Sequence, residues 1–404
     1  MKDDTDDVVV LAADRLTSAA GVFTKSRFAG ASVRLSQSNA ADGHAQAVAV
    51  VSKNANVATG EQGEWDAANL AQRVAELVGC EPDQVLVGST GVIGVPYPEG
   101  KVDAYFGRLA GAAEGTVPIA ERTDDLVARR GGPTGVGDVD DLDHGGRKGL
   151  WTTDAAAAAA AIMTTDTHPK TASASAGAAT VVGIAKGSGM IEPDMATMIS
   201  VMTTDAEIAP DRLDAMLRRV CDVTFNALSV DTDTSTSDMV VMLANGAAGP
   251  VDEAELEAAL GAVSLDLTRQ LAFDGEGAET LIVVTVNEAR DDAQAKRVAK
   301  AIVNSPLVKT AVHGCDPNWG RVAMAIGKCS DETDIDPERI RIRFGDQEVY
   351  PTPATPEALA ELEAYLASDE VLISVDLGIA DGSFTVYGCD LTDQYVRINA
   401  DYTT

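Results

Sequence analysis

The feature that most constrains the fold of this chain is the alternation of short apolar runs with segments of helical periodicity. The apolar runs are bounded by turn-forming residues, which is typical of buried strands. They lie at 8–12, 46–52, 85–88, 181–185, 239–244, 281–287, 371–376 and 383–387. Apolar residues recur at helical spacing in 64–78, 207–228, 252–271, 290–304 and 356–367. This pattern predicts an α/β fold.

Two segments between these elements have a composition of their own. Residues 128–149 combine repeated glycines with Asp and Pro, which predicts a mobile, exposed loop. The run of alanines at 155–161 favours a helix, and Thr153 or Asp154 is predicted to cap it. The 404 residues are enough for two ordinary domains or one large domain with a sizeable core.

The charge balance is strongly acidic, with 63 acidic residues, 31 basic residues and a net charge of −32. Because no basic block interrupts this pattern, we expect neither nucleic acid nor an anionic membrane surface as a partner. The carboxylates are spread along the whole chain, which indicates a solvated acidic shell suited to concentrated salt, where charge repulsion is screened. The charge thus predicts a halophilic protein.

The spacing of the cysteines and histidines argues against a metal site. The five cysteines are far apart and form no CxxC pair, so we predict buried, reduced thiols. The four histidines form no cluster with them, and no cofactor motif is present. No apolar run reaches the roughly 18 residues that a membrane helix needs, and no leader-like segment opens the chain. We therefore predict a soluble cytoplasmic protein.

Threonine and glycine are concentrated in four polar turns. They are STGVIG at 89–94, MTTDTHPK at 163–170, KGSGMIEPDMATM at 186–198 and DTDTSTSD at 231–238. The simplest interpretation of a threonine in such a turn is structural. However, a threonine without a histidine partner becomes a nucleophile when its own α-amino group is free. Chain cleavage ahead of a threonine is therefore the chemistry to look for.

These motifs identify a family resemblance. The strings KGSGMIEPDMATM, FNALSVDTDTSTSD, FDGEGAET, CDPNWGRVAMAIG and RINADYTT follow one another in an order that closely resembles the ornithine acetyltransferase family. Its members are also called bifunctional glutamate N-acetyltransferase/amino-acid acetyltransferase. The resemblance runs from AAGVFT at 19–24 to the last residue. It implies an α/β fold in which sheets and helices are layered around one site.

The resemblance implies that the chain cuts itself between Ala196 and Thr197. Thr197 would become a new N-terminus and the catalytic nucleophile. Residues 1–196 would form an alpha chain and residues 197–404 a beta chain, which stay associated and share the site. Two of each would form a heterotetramer.

The implied reaction transfers the acetyl group of N-acetylornithine to glutamate through an acetyl-threonyl ester, in arginine biosynthesis. This cycle needs no cofactor. Acetyl-CoA is a second possible acetyl donor in the family, and the sequence leaves that activity open.

Residue by residue, the resemblance assigns Thr90 and Gly91 to the stabilisation of the oxyanion. The substrate contacts that it implies are Thr164, Lys186, Thr197, Glu276, Asn399 and Thr404. Their cation, hydroxyls and carboxylate suit an amino acid with an acylated nitrogen.

Several further residues admit two interpretations. Trp319 and Arg321 either line the site or pack a turn. Asp231, Asp233 and Asp238 form a cation site or, as the simpler interpretation, bond the backbone of an irregular turn. Glu279 with Thr280, and Glu192 with Asp194, stand where the family usually has other residues. We expect Glu279 and Thr280 to change the charge balance beside Glu276.

Two other functions fit the same residues. A self-cleaving aminopeptidase or amidase would use the same N-terminal threonine with water as the acceptor. A non-catalytic, amino-acid-binding regulator would show neither cleavage nor exchange.

Overall fold

The computed structural model describes residues 8–98, 100–113, 152–192 and 198–401. Its strands are β1 (Val8–Phe23), β2 (His44–Val51), β3 (Val85–Ser89), β4 (Lys170–Ala176), β5 (Ala179–Lys186), β6 (Ile199–Glu207), β7 (Met239–Pro250), β8 (Leu281–Ala289), β9 (Arg341–Phe344), β10 (Gln347–Tyr350), β11 (Glu370–Asp376) and β12 (Gly382–Cys389). The predicted α/β class is confirmed. The predicted loop at 128–149 lies outside the described residues.

The helices are α1 (Ala31–Asn39), α2 (Gly60–Val78), α3 (Lys101–Ala113), α4 (Ala155–Ala161), α5 (Pro210–Val223), α6 (Glu253–Phe273), α7 (Asp292–Val303), α8 (Pro306–His313), α9 (Trp319–Gly327), α10 (Pro356–Leu366) and α11 (Asp393–Asp401). Asp154, one of the two predicted caps, accepts hydrogen bonds from the amides of Ala156 and Ala157 at the start of α4. Within the described part of the chain, none of these helices has the length and apolar character that a membrane span requires.

The strands form two mixed sheets. The first has seven strands in the order β3-β2-β1-β7-β6-β5-β4, and the second has five in the order β10-β9-β11-β8-β12. Neighbours are parallel at β2/β3, β6/β7 and β8/β11 and antiparallel elsewhere.

Strand β1 folds the first sheet onto itself. Residues 8–12 and 17–18 of β1 pair with β2, and its last six residues pair with β7. The register against β2 shifts between Ala12 and Thr17. A shift of this kind bends a strand. As a result, Val48 and Leu86 of the β2–β3 side share one core with Ile199 and Val241 of the β6–β7 side. The ends of β3 and β5 therefore come together although four strands lie between them in the sheet.

Helices and the second sheet cover the outer faces. Helices α2 and α3 pack on β2 and β3, where Leu70, Val74 and Phe106 are buried. Helix α6 contacts β4 and β5 on one side and β8 and β12 on the other, so it lies between the two sheets. Helix α7 covers the far face of the second sheet. The layered arrangement that the resemblance implied is present.

The two predicted halves of the chain interleave in the first sheet. Strands β1 and β5 lie in the segment 1–196, and β6 and β7 lie in the segment 197–404. Residues 18–23 of β1 pair with β7, and residues 181–186 of β5 pair with β6. A break at residue 196 would leave these hydrogen-bonded pairs in place.

The cysteines are only partly where the sequence predicted them. All five are free, as expected, and Cys221 and Cys389 are buried. Cys80, Cys315 and Cys329 are partly exposed, which the prediction of buried thiols missed. They follow helix ends or lie in turns, where burial depends on neighbouring elements and not on local pattern.

Candidate active site

Two predicted site residues meet where β3 and β5 end. Lys186 is the last residue of β5, and Thr90 follows the last residue of β3. The Lys186 ammonium donates a hydrogen bond to Thr90 Oγ1 over 3.1 Å, and both side chains are buried. Because Thr90 Oγ1 accepts this bond, its own proton is free to be donated to another oxygen.

The turn at Gly91 presents a second donor. The backbone amide of Thr90 is already bonded to Val51 O at 2.9 Å, whereas that of Gly91 meets no acceptor in the described residues. Gly91 has a φ of +130°, and a Cβ there would lie 2.2 Å from the carbonyl carbon of Lys53. Only glycine fits this close approach. The Thr90 hydroxyl and the Gly91 amide are thus two donors that could stabilise an oxyanion, whereas the Thr90 amide is already used.

Asp166, which the sequence analysis did not single out, connects the turn after β5 with the segment that carries Thr164. Its Oδ1 accepts from the Gly187 amide at 2.6 Å and from the Lys170 ammonium at 2.7 Å. Its Oδ2 accepts from the amide of Thr164 at 3.0 Å. Asp166 thus links the backbone of Thr164 to the turn that follows Lys186. The only sequence signal was that Asp166 lies inside the MTTDTHPK string.

Glu276 and Asn399 also meet. The Asn399 amide group donates to Glu276 Oε2 over 2.8 Å. The Glu276 backbone amide donates to Ser188 O over 2.7 Å, two residues after Lys186. A Cβ at Gly189 would lie 2.4 Å from the Glu276 carboxyl group, which explains the glycine. The predicted substrate contacts on β5 and α11 therefore belong to one site.

The charges in this site are strongly coupled. Burial lowers the pKa of Lys186, and the carboxylates of Asp166, Asp238 and Glu276 act against that shift. Burial would raise the pKa of Asp166, but the ammonium groups of Lys186 and Lys170 outweigh it and bring this pKa to about 2. Asp166 is therefore an anion at neutral pH, and it favours the charged form of Lys186.

Three predicted site residues lie outside the described residues. They are Ala196, Thr197 and Thr404. Met198 is described, is buried and immediately precedes β6. Ile199, the next residue, pairs with Lys186 across β5 and β6. The described chain thus resumes one residue after the predicted nucleophile, at the strand end that carries Lys186.

Two residues that depart from the family pattern have specific partners. Glu192 accepts hydrogen bonds from Ser229 Oγ at 3.0 Å and from Asn304 Nδ2 at 2.6 Å, and it lies 3.7 Å from the Lys300 ammonium. Its carboxylate is therefore bound to neighbouring elements. Glu279 Oε2 lies 3.7 Å from His313 Nδ1, and Asp390 Oδ2 lies 3.1 Å from the same nitrogen.

The acidic turn 231–238 contains two different environments. Asp231 accepts hydrogen bonds from the amides of Met190, Ile191 and Asp233, which confirms the interpretation as a turn. Asp238 does not follow this interpretation, because its carboxyl group is buried without a hydrogen-bond partner in the described residues.

Trp319 and Arg321 pack locally. The Trp319 ring lies 5.0 Å from that of Tyr350, and both line a cavity of about 350 Å³ beside the second sheet. Arg321 Nη1 donates to Leu307 O over 2.7 Å. These contacts favour the interpretation as packing.

Comparison with known proteins identifies the family. A model of the ArgJ family matches residues 1–404. The chain belongs to the ArgJ family. It is 52% identical over 407 residues to glutamate N-acetyltransferase Oat2 of Streptomyces clavuligerus, a match that covers 100% of this chain and 94% of that protein. It is 47% identical over 401 residues to the arginine biosynthesis bifunctional protein ArgJ of Rhodococcoides fascians, covering 99% and 90%.

Among solved structures, the arginine biosynthesis bifunctional protein ArgJ from Bacillus halodurans is 44% identical, with a TM-score of 0.47 over 50% of this chain and 97% of that chain. Membership of the ArgJ family confirms the predicted resemblance, the transferase class and the assignment to arginine biosynthesis.

Because the Asp166 carboxylate is paired with buried ammonium groups, we expect the stability of this ArgJ-family chain to depend on pH. The pKa of Asp166 is about 2 in the folded protein, whereas its ordinary value is 3.8. The Asp166 carboxylate therefore stabilises the folded state by about 2 kcal/mol above pH 4. This contribution is lost as the pH falls to about 2. Asp166→Asn leaves two buried ammonium groups without this partner and should cost about 3–5 kcal/mol at pH 6. Urea unfolding should show this difference shrinking as the pH approaches 3.

The exposed Asp381→Asn is the matched control, because it removes one carboxylate without a buried partner. It should change the free energy of unfolding by less than about 0.5 kcal/mol at every pH. A cost of Asp166→Asn that is the same at pH 6 and pH 3 would contradict the assignment.

Proposed function

We propose that this chain cuts itself between Ala196 and Thr197 and then exchanges acetyl groups between N-acetylornithine and glutamate through Thr197. The observation that carries this proposal is the pairing of Lys186 with Thr90, with the free Gly91 amide beside it, at the strand end where Met198 leads into β6. A hydroxyl oriented by a buried cation and an adjacent backbone amide are donors that can stabilise the oxyanion of an acyl transfer.

Self-cleavage would begin with attack of Thr197 Oγ on the carbonyl carbon of Ala196. The peptide C–N bond breaks as the acyl group moves from nitrogen to oxygen, and the Thr197 amine is released. Water then hydrolyses the ester and leaves a carboxylate on Ala196. The pairing of β1 with β7 and of β5 with β6 supports the proposal that the two products stay together.

In turnover, the freed Thr197 amine would take the proton of its own hydroxyl as Oγ attacks the acetyl carbonyl of N-acetylornithine. The C–N bond breaks, the amine returns the proton to the leaving nitrogen of ornithine, and an acetyl ester remains on Thr197. The amine of glutamate then attacks this ester, so N-acetylglutamate leaves and the Thr197 hydroxyl is restored. No cofactor takes part in this exchange.

The proposed substrate contacts divide by charge. Lys186 and the Thr164 hydroxyl suit the α-carboxylate of the substrate. Glu276, oriented by Asn399, suits the side-chain ammonium of ornithine, and Thr404 would complete this end of the site. Because the Glu276 carboxylate still has oxygen lone pairs that Asn399 does not use, it can accept a further hydrogen bond.

Intact mass spectrometry tests the proposal directly. Purified protein should consist of two chains, 1–196 and 197–404, and N-acetylornithine should add one acetyl group to the second chain. Glutamate should remove that group as N-acetylglutamate. Release of acetate without glutamate would indicate an amidase, and an uncut chain that binds the substrate unchanged would indicate a binding protein. Acetyl-CoA in place of N-acetylornithine tests the second donor.

The assembly and the location of the protein are further parts of the proposal. Two alpha and two beta chains would form a heterotetramer, which sedimentation analysis can measure. The five free cysteines support a reducing compartment, and the cytoplasm is the one we propose.

We also propose that the acidic shell adapts the protein to salt. The net charge is −32, so the carboxylates repel one another in dilute buffer. Salt screens that repulsion, because the Debye length falls to about 3 Å at 1 M. The melting temperature in 2 M KCl should therefore exceed that in 0.1 M KCl by about 5 °C or more. Potassium chloride is chosen because sulfate would stabilise any protein by exclusion from its surface. An unchanged or lower melting temperature would contradict salt adaptation.

A further inference from the structure

Lys170 is a fully buried cation that lies between two carboxylates. It begins β4, is 0% exposed, and pairs with Ala185, the residue before Lys186 in β5. Its ammonium group donates to Asp166 Oδ1 over 2.7 Å and to Asp274 Oδ2. Both carboxylate side chains are at most 3% exposed. These three residues form a buried triad of one cation and two anions.

The two carboxylates of the triad belong to different parts of the chain. Asp166 Oδ1 also accepts from the Gly187 amide at 2.6 Å, so this side of the triad holds the turn after β5. Asp274 is the residue after α6, and its carboxylate accepts hydrogen bonds from the amide and the hydroxyl of Thr167. Lys170 therefore joins the end of β5 to the turn between α6 and β8.

The two turns that this link connects carry two of the proposed substrate contacts. Lys186 immediately precedes the first turn, and Glu276 comes two residues after Asp274 in the second. The turns also touch directly, because the Glu276 amide donates to Ser188 O over 2.7 Å. A change in the link through Lys170 would therefore alter how Lys186 and Glu276 lie relative to each other.

Stability of the fold does not by itself explain the triad. Transfer of three charges out of water costs free energy, and well-packed apolar side chains of similar volume often stabilise a protein as well or better. A buried ionic triad can instead supply a defined geometry, because charge-assisted hydrogen bonds are short and directional. The triad is therefore suited to hold two turns at one separation.

We propose that the link between Lys170 and Asp274 fixes the separation of Lys186 and Glu276, and so selects the side-chain length of the N-acetylated diamino acid that the site accepts. The inference rests on the proposed function, in which Lys186 binds the α-carboxylate of the substrate and Glu276 its side-chain ammonium. An additional methylene moves these two substrate charges apart. Turns that are held at one separation disfavour the longer homologue.

Asp274→Asn tests the link with a small change. The new amide oxygen can still accept from Thr167, and Lys170 keeps its partner Asp166. The measurement is kcat/KM for N-acetylornithine and for Nα-acetyllysine, which is one methylene longer. The wild type should prefer N-acetylornithine by about tenfold or more, which is the usual effect of one methylene in a substrate pocket. In Asp274→Asn we expect this preference to fall below about threefold.

A double variant and a control complete the experiment. Lys170→Met combined with Asp274→Asn removes one positive and one negative charge together, so the net charge of the site does not change. It should lose the preference as Asp274→Asn does. Asp214→Asn is the matched control, because it breaks an exposed ion pair with Arg218 on α5. It should keep the wild-type preference and the wild-type rates.

Thermal unfolding followed by circular dichroism shows which variants are folded. A folded variant of the link that keeps the wild-type preference, or that exchanges with neither donor, would overturn the inference. So would a wild type without a preference, or failure of both variants to fold, because the triad would then only support the fold. All of these results leave the proposed function intact, since the wild type still exchanges acetyl groups. A wild type that exchanges none would overturn the proposed function and this inference together.

Discussion

Thr197→Ala is expected to leave the 404-residue chain uncut and to abolish acetyl exchange. The substitution removes the only oxygen that can attack the Ala196 carbonyl in the proposed route, and without cleavage no free amine exists to act as the base. We expect the exchange rate to fall by about 10⁴-fold or more, as for the loss of other catalytic nucleophiles. Intact mass spectrometry should find one polypeptide, and N-acetylornithine should add no acetyl group to it.

Thr197→Ser and Thr180→Ala complete that experiment. Serine keeps the hydroxyl and should still allow cleavage, more slowly. Thr180 is an exposed threonine at the opposite end of β5 from Lys186, so Thr180→Ala should be cut and active like the wild type. A Thr197→Ala chain that is cut at the same bond, or that exchanges acetyl groups within tenfold of the wild-type rate, would exclude Thr197 as the nucleophile.

Lys186→Met should produce the second largest effect. The ammonium group orients Thr90 Oγ1, and it lies among the carboxylates of Asp166, Asp238 and Glu276. Without it, the Thr90 hydroxyl is no longer directed toward the oxyanion, and the carboxylate of the substrate faces uncompensated negative charge. We expect kcat/KM for N-acetylornithine to fall by about 10²–10³-fold, the usual loss for one such donor.

A double-mutant cycle with Thr90→Ala makes this prediction specific. If Lys186 acts through the Thr90 hydroxyl, the two losses should be less than additive, because each substitution removes part of the same interaction. Lys328→Met, at an exposed position after α9, is the matched control and should be fully active. Strictly additive losses would show that Lys186 and Thr90 act independently.

The local pattern predicted most regular elements but not the weakest ones. Apolar periodicity identified helices such as α6 and α7 and the strands β5 and β8, since those segments carry strong signals of period 3.6 or 2. Strand β4 was missed because its sequence, KTASASA, contains small and polar residues and is held in place by β5 and α6. Strand β1 was predicted only over 8–12, because its polar centre at 13–18 breaks the apolar run.

The candidate site was predicted through motifs and not through geometry. Thr90, Lys186, Glu276 and Asn399 were assigned by family resemblance, and the structure brings them together in two hydrogen-bonded pairs. Asp166 was not predicted as a site residue, because its local sequence does not indicate that its carboxylate binds the turn after β5.

By itself, then, the sequence determined the α/β class, the family and the candidate nucleophile, because these depend on local periodicity and on the order of short motifs. The tertiary structure alone decided that Thr90 and Lys186, 96 positions apart, would touch. Within the described residues, it also left the Gly91 amide beside Thr90 without an acceptor and buried the Asp238 carboxyl group without a hydrogen-bond partner. The physical reason is that contact and burial arise from the bend in β1 and from long-range strand pairing, which no local window of residues contains.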